Sequence, residues 1–218
     1  HHAQIIPLEF FFDFLYIQSK QIIMNMEASL NEESGLFVYP HEIDTQVCKR
    51  IIGLAGNEWE ASEVESDLGS DELDTSLRRS EVFWTREEWL IALIWSYMDA
   101  YNEVSGLSYD IRSVEPIQLT RYARGGFYDF HVDGFGSKKW EVGGSVRKLS
   151  MTIQLSEDYE GGKFQVARLR GGQKEVDTMD KSMGTVILFP SVLEHRVLPV
   201  TRGVRYSLVA WFSGPAFR

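Results

Sequence analysis

From Ile117 onward the sequence breaks into short runs of β-branched and aromatic residues bounded by glycine: Ile117 to Tyr122, Tyr128 to Val132, Leu149 to Leu155, Lys163 to Leu169, Thr185 to Phe189, His195 to Leu198 and Val204 to Phe212. Seven such runs predict a sandwich or barrel, with Gly161-Gly162 and Gly171-Gly172 as turns and Gly134 to Val146 as a loop. The preceding half reads differently. Ile43, Val47, Ile51 and Leu54 recur at helical spacing between Glu42 and Ala55, and Gly56 supplies a stop. Thr85-Arg86-Glu87-Glu88 has the form of a capping box, so a second helix is expected, with Trp89, Leu93, Tyr97 and Tyr101 on its core-facing side and Gly106 at its end. The expected order is helices first and a β-rich body after, within one domain.

Charge narrows the function classes. The chain carries 22 Lys+Arg against 32 Asp+Glu, a net charge of -10, which disfavours binding to bare nucleic-acid backbone. Glu58 to Glu81 alone holds nine acidic and two basic residues and reads as a solvated loop, with a flap over a site as the weaker alternative. Arg78-Arg79-Ser80 at its end reads as a solvated surface pair in the first instance. The single cysteine, Cys48, excludes an intrachain disulfide and a thiolate metal cluster, and fits a reducing compartment such as the cytoplasm. The most apolar stretch, Ile5 to Ile17, is broken by Glu9 and Asp13 and is too short to cross a bilayer, and it has no basic leader. No membrane association is expected. Residues 1–23 form an N-terminal extension whose status stays open: His1-His2 resembles a tag remnant, native sequence beginning at Met24 or Met26 is one reading, and an element packed on the core is the other. Residues 24–218 are expected to form the single domain.

The chemistry concentrates in the β-rich half. Strand side chains alternate faces, so His131 and Asp133 project together while Val132 projects oppositely. His-X-Asp alone is common on surface strands, but His195 follows on a separate expected strand beyond Phe189-Pro190. Two histidines and one carboxylate make the facial triad of non-haem Fe(II) oxygenases, which leaves coordination positions open. Arg205 follows His195 across a turn marked by Pro199 and Gly203; folded back as a hairpin, it would return to the depth of the metal-bearing face. Ser207 shares its parity. An iron site of this kind needs a reductant for dioxygen, which a chelating 2-oxo acid supplies, and the far carboxylate of such an acid suits a buried guanidinium. The competing reading of Arg205 is a structural ion pair.

Tyr122-Ala123-Arg124-Gly125-Gly126-Phe127-Tyr128-Asp129-Phe130-His131-Val132-Asp133 resembles the Tyr-X-X-Gly-X-X-Tyr-X-X-His-X-Asp signature of the prolyl 4-hydroxylase branch of 2-oxoglutarate, Fe(II)-dependent dioxygenases. Arg147-Lys148-Leu149-Ser150, Tyr159-Glu160-Gly161-Gly162, Gly184 through Phe189-Pro190 to His195-Arg196-Val197, and Arg205-Tyr206-Ser207 are similar to later blocks of that family. The resemblance runs from about Ile117 to Phe212. It implies an α+β fold with a double-stranded β-helix, or jelly-roll, core and supporting N-terminal helices. It further implies iron held by His131, Asp133 and His195, and 2-oxoglutarate anchored by Arg205 with a polar strand residue beside it. Several relatives use tyrosine at that helper position; here Gln154 or Thr152 has the matching parity. Tyr122 falls where relatives place a tyrosine near the cosubstrate or target. Tyr128, at odd spacing from His131, is expected either to face away and pack outside the barrel or to belong to the site, and Trp211 is expected in the core.

The activity implied is hydroxylation of a C–H bond coupled to oxidative decarboxylation of 2-oxoglutarate to succinate, with ascorbate as reductant. A peptidyl proline is the first substrate class, and a free amino acid or other small molecule the alternative. The rims of the substrate channel are expected in Glu58 to Glu81 and Gly134 to Val146. Two other classes stay open at this level: a cupin-like metalloenzyme without an oxo-acid cosubstrate, disfavoured by the chain's five histidines, and a binding module with a structural metal, which would prefer a closed ligand set. Oligomeric state is left open.

Overall fold

The computed structural model describes residues 35–62, 77–134 and 144–216. The expectations for residues 1–23, and for most of the two loops named as channel rims, lie outside the described residues. In chain order the elements are β1 (Phe37–Tyr39), α1 (Thr45–Gly53), β2 (Glu60–Ala61), β3 (Arg78–Arg79), β4 (Glu81–Thr85), α2 (Glu88–Val104), β5 (Ser113–Val114), β6 (Ile117–Tyr122), β7 (Phe127–His131), β8 (Ser145–Gln154), β9 (Tyr159–Gly161), β10 (Phe164–Arg170), β11 (Gln173–Thr178), β12 (Val186–Pro190), β13 (His195–Val197), β14 (Val200–Gly203) and β15 (Arg205–Pro215).

The alternation of side chains along β8 explains the layering. Leu149, Met151 and Ile153 face one way and join a cluster with Cys48, Ile51, Leu90, Ile94, Met98 and Tyr101 from the helices. Each such side chain contributes roughly 1.5–3 kcal/mol on full burial. Ser150, Thr152 and Gln154 face the other way and are also buried, so this strand has a polar face that never meets bulk solvent. The same alternation recurs on β15, where Leu208, Ala210 and Phe212 meet the helices and Arg205 and Ser207 take the opposite face.

These strands belong to an eight-stranded sheet of order β1-β12-β8-β15-β6-β4-β2, with β5 paired to β15. Opposite it lies a five-stranded sheet of order β11-β10-β13-β7-β3, and β14 pairs with β9 in a small third sheet. Every pairing among the described residues is antiparallel. A second apolar cluster, including Tyr122, Phe164, Val166, Ile187, Phe189 and Val197, draws on both large sheets. The α+β, jelly-roll expectation matches this architecture.

Several local expectations are corrected. Thr85 ends β4 instead of capping α2: it accepts only from the Glu87 amide at 3.3 Å, and Glu87 is the N-cap without a side-chain bond. The first helix is capped by Asp44, whose Oδ1 accepts from the Gln46 amide at 2.7 Å. Arg78 is buried, not solvated, with its guanidinium 4.7 Å from the Tyr128 ring centre and its Nε donating to Ser80 Oγ at 2.8 Å. The segment from His195 to Arg205 is not a hairpin. Its strand β13 lies in the five-stranded sheet, β14 pairs with β9, and β15 lies in the larger sheet. Strands β1 to β5, β9, β11 and β14 add to the runs read from the sequence, because their stretches are too short or, in β11, too charged to show a clear period.

Candidate active site

The chain crosses between the two large sheets at Ala123-Arg124-Gly125-Gly126. The Gly126 amide donates to the Ala123 carbonyl at 2.7 Å and Gly125 has φ +78°, the third position of a type II turn, where glycine carries no steric cost. This turn delivers β7, and with it His131. A side chain at Gly126 would approach the carbonyls of Ala123 and Arg79 within 2.8 and 2.9 Å, so the corner also requires a residue without Cβ there.

His131, Asp133 and His195 converge, with one potential ligand atom from each lying within 4.8 Å of the others. His131 Nε2 is 3.9 Å from Asp133 Oδ1, and His195 Nε2 is 3.4 Å from Asp133 Oδ2. Each imidazole turns its Nδ1 to a main-chain carbonyl, His131 to Asp129 at 2.8 Å and His195 to Leu193 at 2.9 Å. A proton on Nδ1 then leaves the Nε2 lone pair free for a cation, the usual arrangement behind a ligating histidine. Burial, reinforced by the neighbouring His195, holds the His131 pKa down to about 3, so that ring is neutral at neutral pH. For Asp133 burial acts upward, but the two histidines, Arg147 and the Ser150 hydroxyl outweigh it and hold the carboxyl below its ordinary range.

The aspartate is fixed from behind. Ser150 Oγ donates to Asp133 Oδ2 at 2.7 Å and lies 2.9 Å from Ser191 Oγ, while the Asp133 amide donates to the Ser191 carbonyl at 3.0 Å. A Cβ on Gly134 would meet Ser191 Cβ at 2.6 Å, so the chain beyond the aspartate is seated without slack. Ser150→Ala is expected to weaken divalent-metal binding by about 10–100-fold, the usual effect of losing a partner behind a ligand. Titration with Mn(II) reads this directly, and an undiminished affinity would mean that the backbone alone orients the carboxylate.

Tyr128 departs from the strand-parity expectation. Its ring stacks on His131 with centres 3.5 Å apart and planes at 13°. The cause is a β-bulge: His195 pairs with His131 but Val197 pairs with Tyr128, so Asp129 and Phe130 of β7 oppose the single Arg196 of β13 and the faces fall out of step. Burial pushes the Tyr128 hydroxyl up to about 12, which keeps it protonated and able to donate. Phe189 and Phe164 lie edge-on to His195 at 4.9 and 5.7 Å and provide an apolar flank.

Across from the triad sits a buried cation. Arg205 is 1% exposed; its Nη1 donates to Ser207 Oγ at 3.1 Å and its Nη2 to Gln154 Oε1 at 2.9 Å. Its Cζ lies 5.2 Å from the Tyr122 ring centre. The register aligns these groups: Arg205 opposes Tyr122, and Ser207 opposes both Gln154 and Thr120. No carboxylate pairs with Arg205 among the described residues, and Arg205 Nε and Gln154 Nε2 are buried without hydrogen-bond partners. Leaving a buried guanidinium without an anion costs several kcal/mol, on the order of what one buried charge loses in dehydration. An anionic guest would satisfy these donors. Of the two helper candidates, Gln154 reaches Arg205, whereas Thr152 lies on the same face opposite Val209, one step farther along.

Three contributors were not singled out as site residues: Ser150, Ser191 and Arg147. Arg147 forms a paired contact with Glu115 at 2.5 and 2.6 Å and lies 4.0 Å from the Trp211 ring centre. The visible signal for Ser150 was Ser-X-Thr-X-Gln alternating with Leu-X-Met-X-Ile in β8, a pattern of two buried faces of opposite character. Trp211 is buried, as expected, but on the polar face beside Ser150, its opposite residue in the register.

Residues 117–213 match the 2OG-Fe(II) oxygenase superfamily. A PKHD-type hydroxylase of Acidovorax ebreus is 37% identical over 106 residues, covering 46% of this chain and 44% of the relative. A second, from Synechococcus sp., is 39% identical over 103 residues, covering 46% and 42%. The chain thus spans less than half the length of these relatives. A Pseudomonas putida prolyl-4-hydroxylase superposes with a TM-score of 0.66 at 19% identity, covering 89% of this chain and 98% of the other. A Trichoplax adhaerens prolyl hydroxylase, solved in complex with a hypoxia inducible factor peptide fragment, superposes with a TM-score of 0.66 at 15% identity, covering 91% and 92%. At such identities the likeness to the solved structures is one of fold.

Proposed function

With residues 117–213 resembling the 2OG-Fe(II) oxygenases and the fold that of prolyl 4-hydroxylases, we propose that this protein is an Fe(II)- and 2-oxoglutarate-dependent dioxygenase that hydroxylates a peptidyl proline. The observation that carries the reading is Arg205: a buried guanidinium without an acidic partner among the described residues, on the same face of the larger sheet as Ser150, whose hydroxyl holds Asp133 of the triad. A structural metal site accounts for the triad but leaves this charge unexplained.

His131, Asp133 and His195 would hold the iron by Nε2, carboxylate oxygen and Nε2, and Arg205 with Gln154 and Ser207 would hold the distal carboxylate of 2-oxoglutarate. Tyr122 flanks that anchor, and Thr152 lines the wall beyond it. When bound, iron and 2-oxoglutarate supply dioxygen activation coupled to decarboxylation to succinate, with ascorbate keeping the metal reduced. The chain's own contribution is geometric and electrostatic. Arg205 would neutralise the distal carboxylate in a dry setting, where its charge counts for more than in water. The neutral imidazole of His131 competes with no proton at neutral pH. Tyr128 presents a protonated hydroxyl beside the triad, and Phe164 and Phe189 exclude water from one flank.

No helix among the described residues is long and apolar enough to cross a membrane. The lone, buried Cys48 supports a cytoplasmic location, and the net charge of -10 supports a peptide or small-molecule substrate over nucleic acid. The test is thermal unfolding with redox-inert Mn(II) and 2-oxoglutarate, followed by mass spectrometry of proline-containing peptides incubated with Fe(II), ascorbate and 2-oxoglutarate. Binding to the folded state must raise the Tm, and a ligand at about 100 times its Kd adds roughly 2.7 kcal/mol. A rise together with a gain of one oxygen atom on the peptide is expected. No rise would remove the cosubstrate assignment; a rise and succinate release without peptide oxidation would move the target to a small molecule.

A further inference from the structure

Two indoles lie in line between the triad and the surface. Ser150, whose hydroxyl donates to Asp133 Oδ2 at 2.7 Å, stands opposite Trp211 in the pairing of β8 with β15, and directly opposed residues have Cβ atoms about 4.5–5.5 Å apart. Trp211 is buried, and its ring centre lies 6.1 Å from that of Trp84 on β4, with planes at 37°. Trp84 is 45% exposed. The two rings differ in how well they tolerate the loss of an electron. The Arg147 guanidinium lies 4.0 Å from the Trp211 ring centre; it favours the electron-rich neutral indole and repels one that has become positively charged. Glu115 pairs with that guanidinium and tempers the repulsion, but burial acts in the same direction, because a charge withdrawn from water loses its solvation. Trp211 Nε1 is buried without an acceptor among the described residues, so an oxidised Trp211 has no base beside it to take its proton. Charge therefore passes through Trp211 and does not settle there. Trp84 meets water, which solvates the charge, takes the proton and admits small solutes.

We propose that Trp211 and Trp84 form an electron relay that protects the site when dioxygen is activated with no substrate in place, Trp84 being the exposed end at which the oxidation is repaired or comes to rest; this rests on the dioxygenase reading above. Converting dioxygen into one oxygen of succinate and one water takes four electrons. 2-Oxoglutarate gives two as it loses carbon dioxide, and the C–H bond of a substrate gives the other two. Without substrate, two electrons and two protons are still missing. Trp211 supplies the electrons one at a time, each replaced from Trp84, and water supplies the protons. At Trp84 an ene-diol reductant of the ascorbate type restores the ring, giving up two electrons and two protons as it becomes the diketone. Where no such reductant is present, Trp84 itself loses two electrons, takes one oxygen atom from water with release of two protons, and ends as a hydroxylated indole.

The experiment incubates the full chain with Fe(II), 2-oxoglutarate and air in heavy-oxygen water, without peptide, and locates added oxygen by mass spectrometry of the digested protein. Trp84 is expected to gain one oxygen atom carrying the water label, only when 2-oxoglutarate is present, and ascorbate is expected to suppress the gain severalfold. Trp211→Phe interrupts the relay, since a phenyl ring is much harder to oxidise than an indole, and fills most of the same space. It is expected to lower the gain at Trp84 severalfold while the thermal shift produced by Mn(II) and 2-oxoglutarate stays in place. Trp84→Phe removes the outer end instead: oxygen is then expected on Trp211, and the succinate formed before the protein inactivates should fall severalfold. This variant also serves if Trp211→Phe does not fold. Equal oxidation of Trp84 without 2-oxoglutarate or in Trp211→Phe would mean attack by diffusing oxidants and overturns the relay. Oxygen drawn from dioxygen, no oxygen at Trp84, or a Trp84→Phe protein unchanged at Trp211 and in its inactivation overturns it equally. Any of these results alongside the thermal shift and succinate formation leaves the dioxygenase reading standing; absence of both shift and succinate removes both.

Discussion

Asp133→Ala is expected to abolish succinate formation and to lower divalent-metal affinity by at least about 100-fold, beyond the range seen when only an outer partner is lost. Asp133 supplies the only negative charge of the triad, and its two oxygens face the two histidines from 3.9 and 3.4 Å. Asp133→Asn separates charge from shape: it preserves the volume and an acceptor for the Ser150 hydroxyl, so its fold should survive, yet the metal affinity should fall nearly as far. His131→Ala is expected to match the alanine variant in activity. Metal titration alongside a succinate assay checks all three, and undiminished turnover in either alanine variant would remove the iron assignment.

Arg205→Met is expected to produce opposite effects on the free and the ligand-bound protein. A buried guanidinium whose Nε has no partner and whose charge meets no described carboxylate is a stability cost to the protein without ligand. An apolar side chain of similar length removes that cost, at the loss of the hydrogen bonds to Gln154 and Ser207. Replacing buried charge by well-packed apolar groups often stabilises by about 1–4 kcal/mol, so the ligand-free Tm should rise, by about 2–4 °C per kcal/mol in a chain of this size. The rise produced by 2-oxoglutarate should disappear, because truncating one side of a buried charge pair costs on the order of 2–5 kcal/mol of binding. A variant that loses ligand-free stability and keeps 2-oxoglutarate affinity would reassign Arg205 to a structural role.

Much of this site is legible in the sequence. Parity alone placed His131 beside Asp133 and Arg205 beside Ser207, because a strand side chain has only two directions available. The glycine pair at 125 and 126 marked the corner that delivers β7, and the alternating polar residues of β8 marked a wall with two buried faces. Parity failed at Tyr128 for a definite reason. The bulge between β7 and β13 inserts one unpaired residue, and nothing in Phe127 to His131 announces it, since the insertion is a property of the pairing and not of either strand. The capping box at Thr85 failed similarly: the local pattern was present, but pairing of β4 with β6 drew Thr85 into the sheet and moved the helix start to Glu88.

The sequence by itself determined which side chains share a face, which residues can coordinate or carry charge, and where the chain must turn, since these follow from backbone geometry within a few residues. Tertiary structure alone decided which faces meet. It placed Arg205 on the larger sheet while His131 and His195 sit on the smaller one, brought Gln154 to that guanidinium ahead of Thr152, and turned Trp84 and Trp211 onto one wall. Those outcomes depend on register and sheet order, which are set by the simultaneous burial of residues far apart in the chain, and no short window of sequence contains that sum.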